Sequence, residues 1–575
     1  MLNPITISGM CMVCLLLLAT DLLTKPVYAQ TATIHNNSPH SQTQSTTSST
    51  ATTFQAHIVP IYQDNKPIRQ KLPCLRKQDE LRCFTPQQIA RAYNIQPLQA
   101  RGITGKGQSI AIIDFYQNPY VQTDLQTFNQ YFGLKPAQLH IYAPLGLKPF
   151  NPFNPQQIAS ALEIDLDVEW AHAIAPDATL NLILAPSPNF GQVVQVTRYA
   201  VDHNLGDVLS QSFGAPETCL EPELVAEDHV IFERARAKGI SVFASAGDQG
   251  VLVPVCSIQK KVVRQSTGVA YPASDPAVMA VGGTTLKTSR HGDYISERVW
   301  SNVSNILAGG STGGGFSRLF PRPAYQAGIP GTQTLRGIPD IAYDANTITG
   351  FPVVTETLFS GVPSILPVGG TSAGTPQWAA IATLLNQFTG KDLGQLNSLL
   401  YQISTSEQYK DTFHDITVGN NNYEFLGLLS RLVVIGYKAR PHWDPTTGIG
   451  TPRTFELAQK LQSLLIQNRA RLQHHQHAPQ QIHAGLQPIK QLPSNSKSPS
   501  YTKKQRQRQP VHHMPHTHML DRRHPTRHHQ TRHQHRHYAP HPQHRYHAQH
   551  HQHRHYAPHH YHHHNHQRMS RCNCA

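Results

Sequence analysis

The chain has 575 residues, 39% of them hydrophobic, with 37 glycines and 43 prolines, a composition that excludes a collagen and a wholly disordered chain. A formal net charge of +15 points at first to a binder of nucleic acid or of an anionic surface. Residues 1–470, however, carry 33 basic and 33 acidic side chains, whereas residues 471–575 carry 16 basic ones, one acid (Asp521) and 27 of the 37 histidines, so the body is electrically balanced and the excess belongs to the end.

The only long apolar run, Ile5–Leu23, excludes a polytopic membrane protein. It precedes Val27-Tyr28-Ala29, a small-residue site of the kind a signal peptidase cuts, so residues 1–29 read as a signal peptide and the protein as secreted. With no Lys or Arg before Lys25, a retained anchor is the alternative. Residues 30–82, rich in Ser, Thr and Gln, read as a linker or vestigial prosegment. Cys74 with Cys83, and Cys219 with Cys256, are the expected disulfides of an exported body, although spacing does not fix connectivity.

From Cys83 the texture changes. Phe84-Thr-Pro-Gln-Gln-Ile-Ala-Arg-Ala-Tyr-Asn-Ile95 places a proline at a helix start and apolar residues on one face. Short apolar strands are predicted at 109–114, 179–184, 208–212, 240–244 and 278–281, and helices between them at 158–173, 191–202 and 225–238. That alternation predicts an α/β domain with a largely parallel sheet, where ligands gather at strand ends. Further helices are expected at 373–388 and 454–465, and after Gln467 the hydrophobic period stops.

Two stretches carry chemistry. In Gly369-Gly-Thr-Ser-Ala-Gly-Thr-Pro-Gln-Trp378 a serine stands between a glycine turn and a helix start, where unpaired N–H groups favour developing negative charge. Ser372 is thus a candidate nucleophile, with an ordinary helix cap as the plainer reading. None of the ten body histidines has an obvious catalytic setting; His172 reads as a packed or surface residue. Glu163-Ile-Asp-Leu-Asp167 offers carboxyls instead. Four residues apart on one helical face, Glu163 and Asp167 repel, and one tends to hold its proton, as a general acid/base must. A solvated acidic face is the alternative.

Taken together, GGTSAGTPQW, the ExxxD segment running into Asp167-Val-Glu-Trp-Ala-His-Ala-Ile-Ala-Pro176, Ala246-Gly-Asp-Gln-Gly250, Ser212-Phe-Gly-Ala-Pro-Glu217 and Ser311-Thr-Gly-Gly-Gly-Phe-Ser-Arg-Leu-Phe-Pro-Arg-Pro323 resemble the sedolisins, serine-carboxyl peptidases with the subtilisin fold. The resemblance spans residues 83–466 and implies a subtilisin-like domain there. It implies Ser372 as nucleophile, Glu163 as base, Asp167 as its orienting partner, and Asp248 as a protonated donor to the oxyanion. Asp114 would extend the network. Such chemistry implies an acidic optimum. Phe213 stands where the family commonly has Trp. Ser212, Phe213 and Gly214 on one side and Gly313, Gly314 and Gly315 on the other would flank an extended peptide substrate.

The same resemblance places one structural Ca²⁺ on the carboxylates of Asp415 and Asp444 and the carbonyls of Ile416, Arg440 and His442; the last two replace the family's glycines. A folded prosegment of well over a hundred residues, usual in the family, has no counterpart in residues 30–82. Residues 467–575 read as a disordered tail. Its histidine clusters, with Cys572 and Cys574, suit Zn²⁺ or Ni²⁺, or else protonate in acid into a polycation that meets an anionic cell-surface polymer. With no folded reader, nucleic acid ranks last. The expectation is a monomeric secreted acid peptidase; the alternative is a catalytically silent scaffold that binds metal or surfaces through its tail.

Overall fold

Thr85 and Gln88 cap each other ahead of the helix Pro86–Ala92: the Gln88 amide N–H donates to Thr85 Oγ1 at 3.2 Å, and the Thr85 N–H donates to Gln88 Oε1 at 2.9 Å. Proline in the first turn loses no bond there, so the start is where the sequence predicts it. This computed structural model describes residues 54–56, 59–60, 83–257, 262–302, 309–332, 334–359, 361–426 and 431–477. The run Ile5–Leu23, Cys74, most of the 30–82 segment and the tail after His477 lie outside the described residues.

Part of the presumed linker belongs to the body. Its strands β1 (Gln55–Ala56) and β2 (Val59–Pro60) precede the strands that the sequence predicts: β3 (Ser109–Phe115), β4 (Gln138–Tyr142), β5 (Thr179–Ala185), β6 (Val208–Gln211), β7 (Phe213–Pro216) and β8 (Ser241–Ser245). The central sheet runs Tyr294–Val299, Met279–Thr288, β8, β6, β3, β5, β4, with Ile341–Asp344 also joined to Met279–Thr288. Every neighbouring pair is parallel except the edge strand Tyr294–Val299.

Side-chain alternation builds a core on each face. Along β3, Ile110 and Ile112 point into one cluster, and Ala111, Ile113 and Phe115 into the other. The first cluster takes helices α1 (Pro155–Ile174) and α2 (Thr371–Thr389); the second takes the helices Phe190–Asp202 and Pro222–Ala237. This is the subtilisin-like α/β arrangement. β4 escaped the sequence reading because it is an edge strand with two of its five residues half-buried and the rest exposed.

The last helix runs from Thr454 to His477, ten residues past the expected end at 467. Arg, Leu, Gln and Ala there propagate a helix without an apolar period, which is why hydrophobic periodicity alone stopped too early. Cys219 and Cys256 are joined in a disulfide. Cys83 is also disulfide-bonded, to a residue outside those described. Among the described residues no helix is long and apolar enough to cross a membrane.

Candidate active site

Helix α1 brings the acids in. Asn154 caps it by accepting from the N–H groups of Gln156 and Gln157, and from Ser160 to Ile174 every residue is buried. An acidic face on such a helix is not the solvated one that composition alone would favour. Glu163 and Asp167 point to one side, 1% and 0% exposed, and Asp165 and Glu169 to the other.

Helix α2 brings the nucleophile. Gly369 ends the strand Ser364–Gly369 against Ala345 and Thr347, where a Cβ would come within 2.6 Å of the Thr347 nitrogen; Gly370 follows at φ +120°. Only glycine fits both positions. Ser372 therefore sits in the first turn of α2, beside N–H groups that no side chain caps.

The two helices meet at the site. The Ser372 hydroxyl donates to the carbonyl oxygen of Ser212 at 3.1 Å. Both Glu163 oxygens are buried without a hydrogen-bond partner of full geometry, and the Ser372 hydroxyl beside them favours the ionised carboxylate. Burial pushes Glu163 well above the usual carboxylate range, and the charges of Asp167, Asp114 and Asp248 push it further. Asp167 Oδ1 accepts from Ser212 Oγ at 2.8 Å. Burial, and then Asp114, raises Asp167 as well. Asp114, at the end of β3, accepts from the Phe115 N–H at 3.0 Å and is raised by burial. Glu163, Asp167 and Asp114 form one buried series whose members cannot all ionise.

Asp248 lies on the opposite side. Its Oδ1 accepts from both the N–H and the hydroxyl of Thr371, each at 2.8 Å, while Oδ2 accepts no bond. Burial raises its carboxyl to about 7 against the lowering effect of those two bonds, so it carries a proton through the acid range. Thr371 was missed as a functional residue. It also accepts from the Gly247 N–H at 3.1 Å, tying the Asp248 turn to the nucleophile's helix; its only sequence signal is its place beside Ser372.

The two glycine-containing rims differ. Gly214 pairs with Gln55 on open strand β7. Gly313, Gly314 and Gly315 are buried instead. A Cβ on Gly313 would come within 2.0 Å of the Ala246 carbonyl oxygen, and one on Gly314 within 2.2 Å of that of Pro445. The Gly313 N–H donates to Gly247 O at 2.6 Å and the Ser311 N–H to Asp248 O at 3.0 Å, so this run braces the Asp248 turn from behind. His172 is packed, with Nε2 2.8 Å from the Lys135 carbonyl.

The expected cation ligands lie together on two loops. Asp415 Oδ2 accepts from the His442 N–H at 3.1 Å and Asp444 Oδ2 from the Arg440 N–H at 3.2 Å. Asp444 Oδ1 holds the turn at Thr446 and Thr447. Asp415 Oδ1 is buried with no hydrogen-bond partner. His442 adopts φ +63°, the conformation its glycine predecessor would favour.

Residues 158–414 match the model of the subtilase family. Kumamolisin of Bacillus sp. (strain MN-32) is 34% identical over 389 residues, which cover 66% of this chain and 63% of that protein. Tripeptidyl-peptidase 1 of Dictyostelium discoideum is 27% identical over 65% of this chain and 58% of its own length. A solved structure of Pseudomonas sedolisin, described as a serine-carboxyl proteinase complexed with two molecules of pseudo-iodotyrostatin, aligns with a TM-score of 0.56 at 26% identity, covering 66% of this chain and 98% of that one. The chain thus spans about three fifths of the length of these two curated relatives.

Proposed function

Because this chain belongs to the sedolisin family, we propose that it is a secreted serine-carboxyl peptidase that hydrolyses peptide bonds of proteins in acid. The observation that carries the reading is the buried carboxyl series beside Ser372, with a separately protonated Asp248 across from it. In acid, Asp167 and Asp114 hold protons, which relieves the repulsion on Glu163 and leaves it the single charge of the series. Ionised Glu163 takes the proton of Ser372 Oγ as that oxygen bonds to the substrate carbonyl carbon. The oxyanion is met by the Asp248 carboxyl proton and the N–H groups of the first turn of α2. Glu163 then passes the proton to the departing amine, and water repeats the sequence on the acyl-enzyme.

One Ca²⁺ fits the Asp415/Asp444 loops. Two carboxylates face a hard cation there with one buried oxygen unpartnered, and the carbonyls of Ile416, Arg440 and His442 complete an oxygen set. Bound there, the ion neutralises the two carboxylates and joins their loops. Export is supported by the apolar run Ile5–Leu23 and by the disulfides. The histidine-rich tail, which gains charge in the same pH range as the catalytic carboxyls, is proposed to adsorb to an anionic surface.

The test compares the chain with its Ser372→Ala form on denatured protein from about pH 3 to pH 7. Hydrolysis by the first alone is expected; two equally inert proteins would leave only the silent-scaffold reading.

A further inference from the structure

Residues 54–56 fix how a peptide sits on β7. β1 runs antiparallel to it, Ala56 opposite Phe213 and Gln55 opposite Gly214, so the strand heads toward Ser212, whose carbonyl holds the Ser372 hydroxyl. In a peptide bound in this register, the next residue opposes Ser212 and offers its carbonyl carbon to Ser372. Everything lying along β7 is then the acyl side of the cleaved bond. β2 follows the other rim, with Val59 opposite Gly369 and Pro60 opposite Val368, where the leaving chain would lie. Counting back from the attacked carbonyl, the position held by Phe54 is the fourth.

That position has a built pocket. Phe54 is 3% exposed, and its N–H donates to the Pro188 carbonyl at 2.8 Å. Its ring meets Phe190 edge-on at 5.0 Å and Phe213 at 4.9 Å. Phe115 backs Phe213 at 5.6 Å, and Tyr271 backs Phe190 at 5.9 Å. Backbone pairing accepts any sequence; the ring cage does not, because a charged side chain entering it is desolvated without a partner, whereas an aromatic one gains area and edge contacts.

We propose that Phe190 and Phe213, backed by Phe115 and Tyr271, form a substrate subsite selecting an aromatic residue at the fourth place on the acyl side of the cleaved bond, and that Phe54 is its resident occupant. This rests on the peptidase reading for its chemistry but not for its binding, so the two can fail separately.

Two readouts on the full-length chain test it, each with Phe54 intact and with Phe54→Ala. Fluorogenic octapeptides alike except for Phe, Ala or Lys at that place are compared for kcat/KM, and the labelled peptides are compared for affinity to the inert Ser372→Ala form. A preference for Phe over Ala of about tenfold or more is expected in both, since most of one ring leaves water. Phe54→Ala should lower KM for the Phe peptide, and Phe190→Ala should erase the preference. The peptide series needs no altered pocket, so a misfolded Phe190 variant does not decide the matter. Equal affinity and equal rates for Phe and Ala peptides overturn the subsite while leaving the peptidase standing. A preference in binding with no hydrolysis by the unmutated nucleophile supports the subsite and overturns the peptidase.

Discussion

The hydroxyl of Ser212 donates to Oδ1 of Asp167 across 2.8 Å, so the residue that lines the peptide rim also holds the second carboxyl of the base pair. Its carbonyl, 3.1 Å from Ser372 Oγ, holds the nucleophile too. Cleft and carboxyl series are therefore positioned by one residue at the turn from β6 into β7.

Ser212→Ala removes the Asp167 bond and keeps the carbonyl. That bond lowers the Asp167 pKa, so its loss raises the carboxyl further. We expect kcat to fall roughly tenfold, with KM little changed and the acid limb of the kcat profile displaced. Steady-state rates between pH 3 and 7 check this; a lower kcat with an unshifted profile would point to simple misplacement.

Asp248→Asn tests the donor. With its carboxyl raised to about 7, Asp248 is protonated below that pH and donates; above it the ionised group repels the oxyanion. Activity should fall as pH rises through about 7. An amide donates at any pH, so the Asn form should lose this alkaline limb, with a lower maximum of about one tenth. A pH–kcat profile reads both effects.

Away from the nucleophile, helix α1 carries a second group of acids that no motif singled out. Asn118 Nδ2 donates to Asp165 Oδ1 at 2.5 Å, Asp165 and Asp124 are bonded carboxyl to carboxyl, and Glu169 Oε2 accepts from the Val354 N–H. Glu356 adds a charge beside Asp124. Burial raises Asp165 and Glu169, and takes Asp124 to about 7. A folded-state pKa above the unfolded one gives stability that is complete below the unfolded value, near 4, and lost as pH rises through the folded value. The Tm should therefore be highest in acid and fall across pH 5 to 8, with Asp124 alone accounting for roughly 3–4 kcal/mol. Asp165→Asn, which keeps a donor without a charge, should flatten that fall in thermal melts at pH 4 and pH 8.

Calcium should raise Tm by binding only the folded chain. At about a hundredfold excess over Kd the gain is about 2.7 kcal/mol. Chelation should reverse it, and Asp415→Asn should abolish the response while leaving the metal-free melt nearly unchanged, because Asp415 Oδ1 has no hydrogen bond to lose. Melts with Ca²⁺, Mg²⁺ and chelator decide it.

The catalytic side chains were legible because each sits in a short segment where chemistry and backbone demand the same residues: glycines ahead of Ser372, carboxyls four apart at Glu163 and Asp167. The alternating strands were legible because a doubly covered sheet needs unbroken apolar runs. What stayed hidden was long-range. Nothing in Phe54-Gln-Ala announces a partner strand some 157 residues away at Phe213, and the buried role of Gly313–Gly315 depends on Ala246 and Pro445, distant in sequence. Asp165 and Glu169 read as the outer face of an acidic helix until the strand Phe351–Thr355 is seen covering them.

The tail tests a division of labour between body and appendage. Residues 471–575 hold 16 basic side chains and 27 histidines against one acid; below the ordinary histidine pKa of ~6.5 their charge grows steeply. The body's last helix ends at His477, so truncation after it keeps every described contact. The truncated form should melt at the same temperature and hydrolyse peptides at the same rate. It should lose adsorption to anionic beads at pH 5 that the full chain shows, and the full chain should release from them on raising pH to 8 or adding salt, since screened and deprotonated imidazoles no longer attract the surface. Retention by the truncated form would move the binding surface to the body, where balanced charge gives it no electrostatic basis.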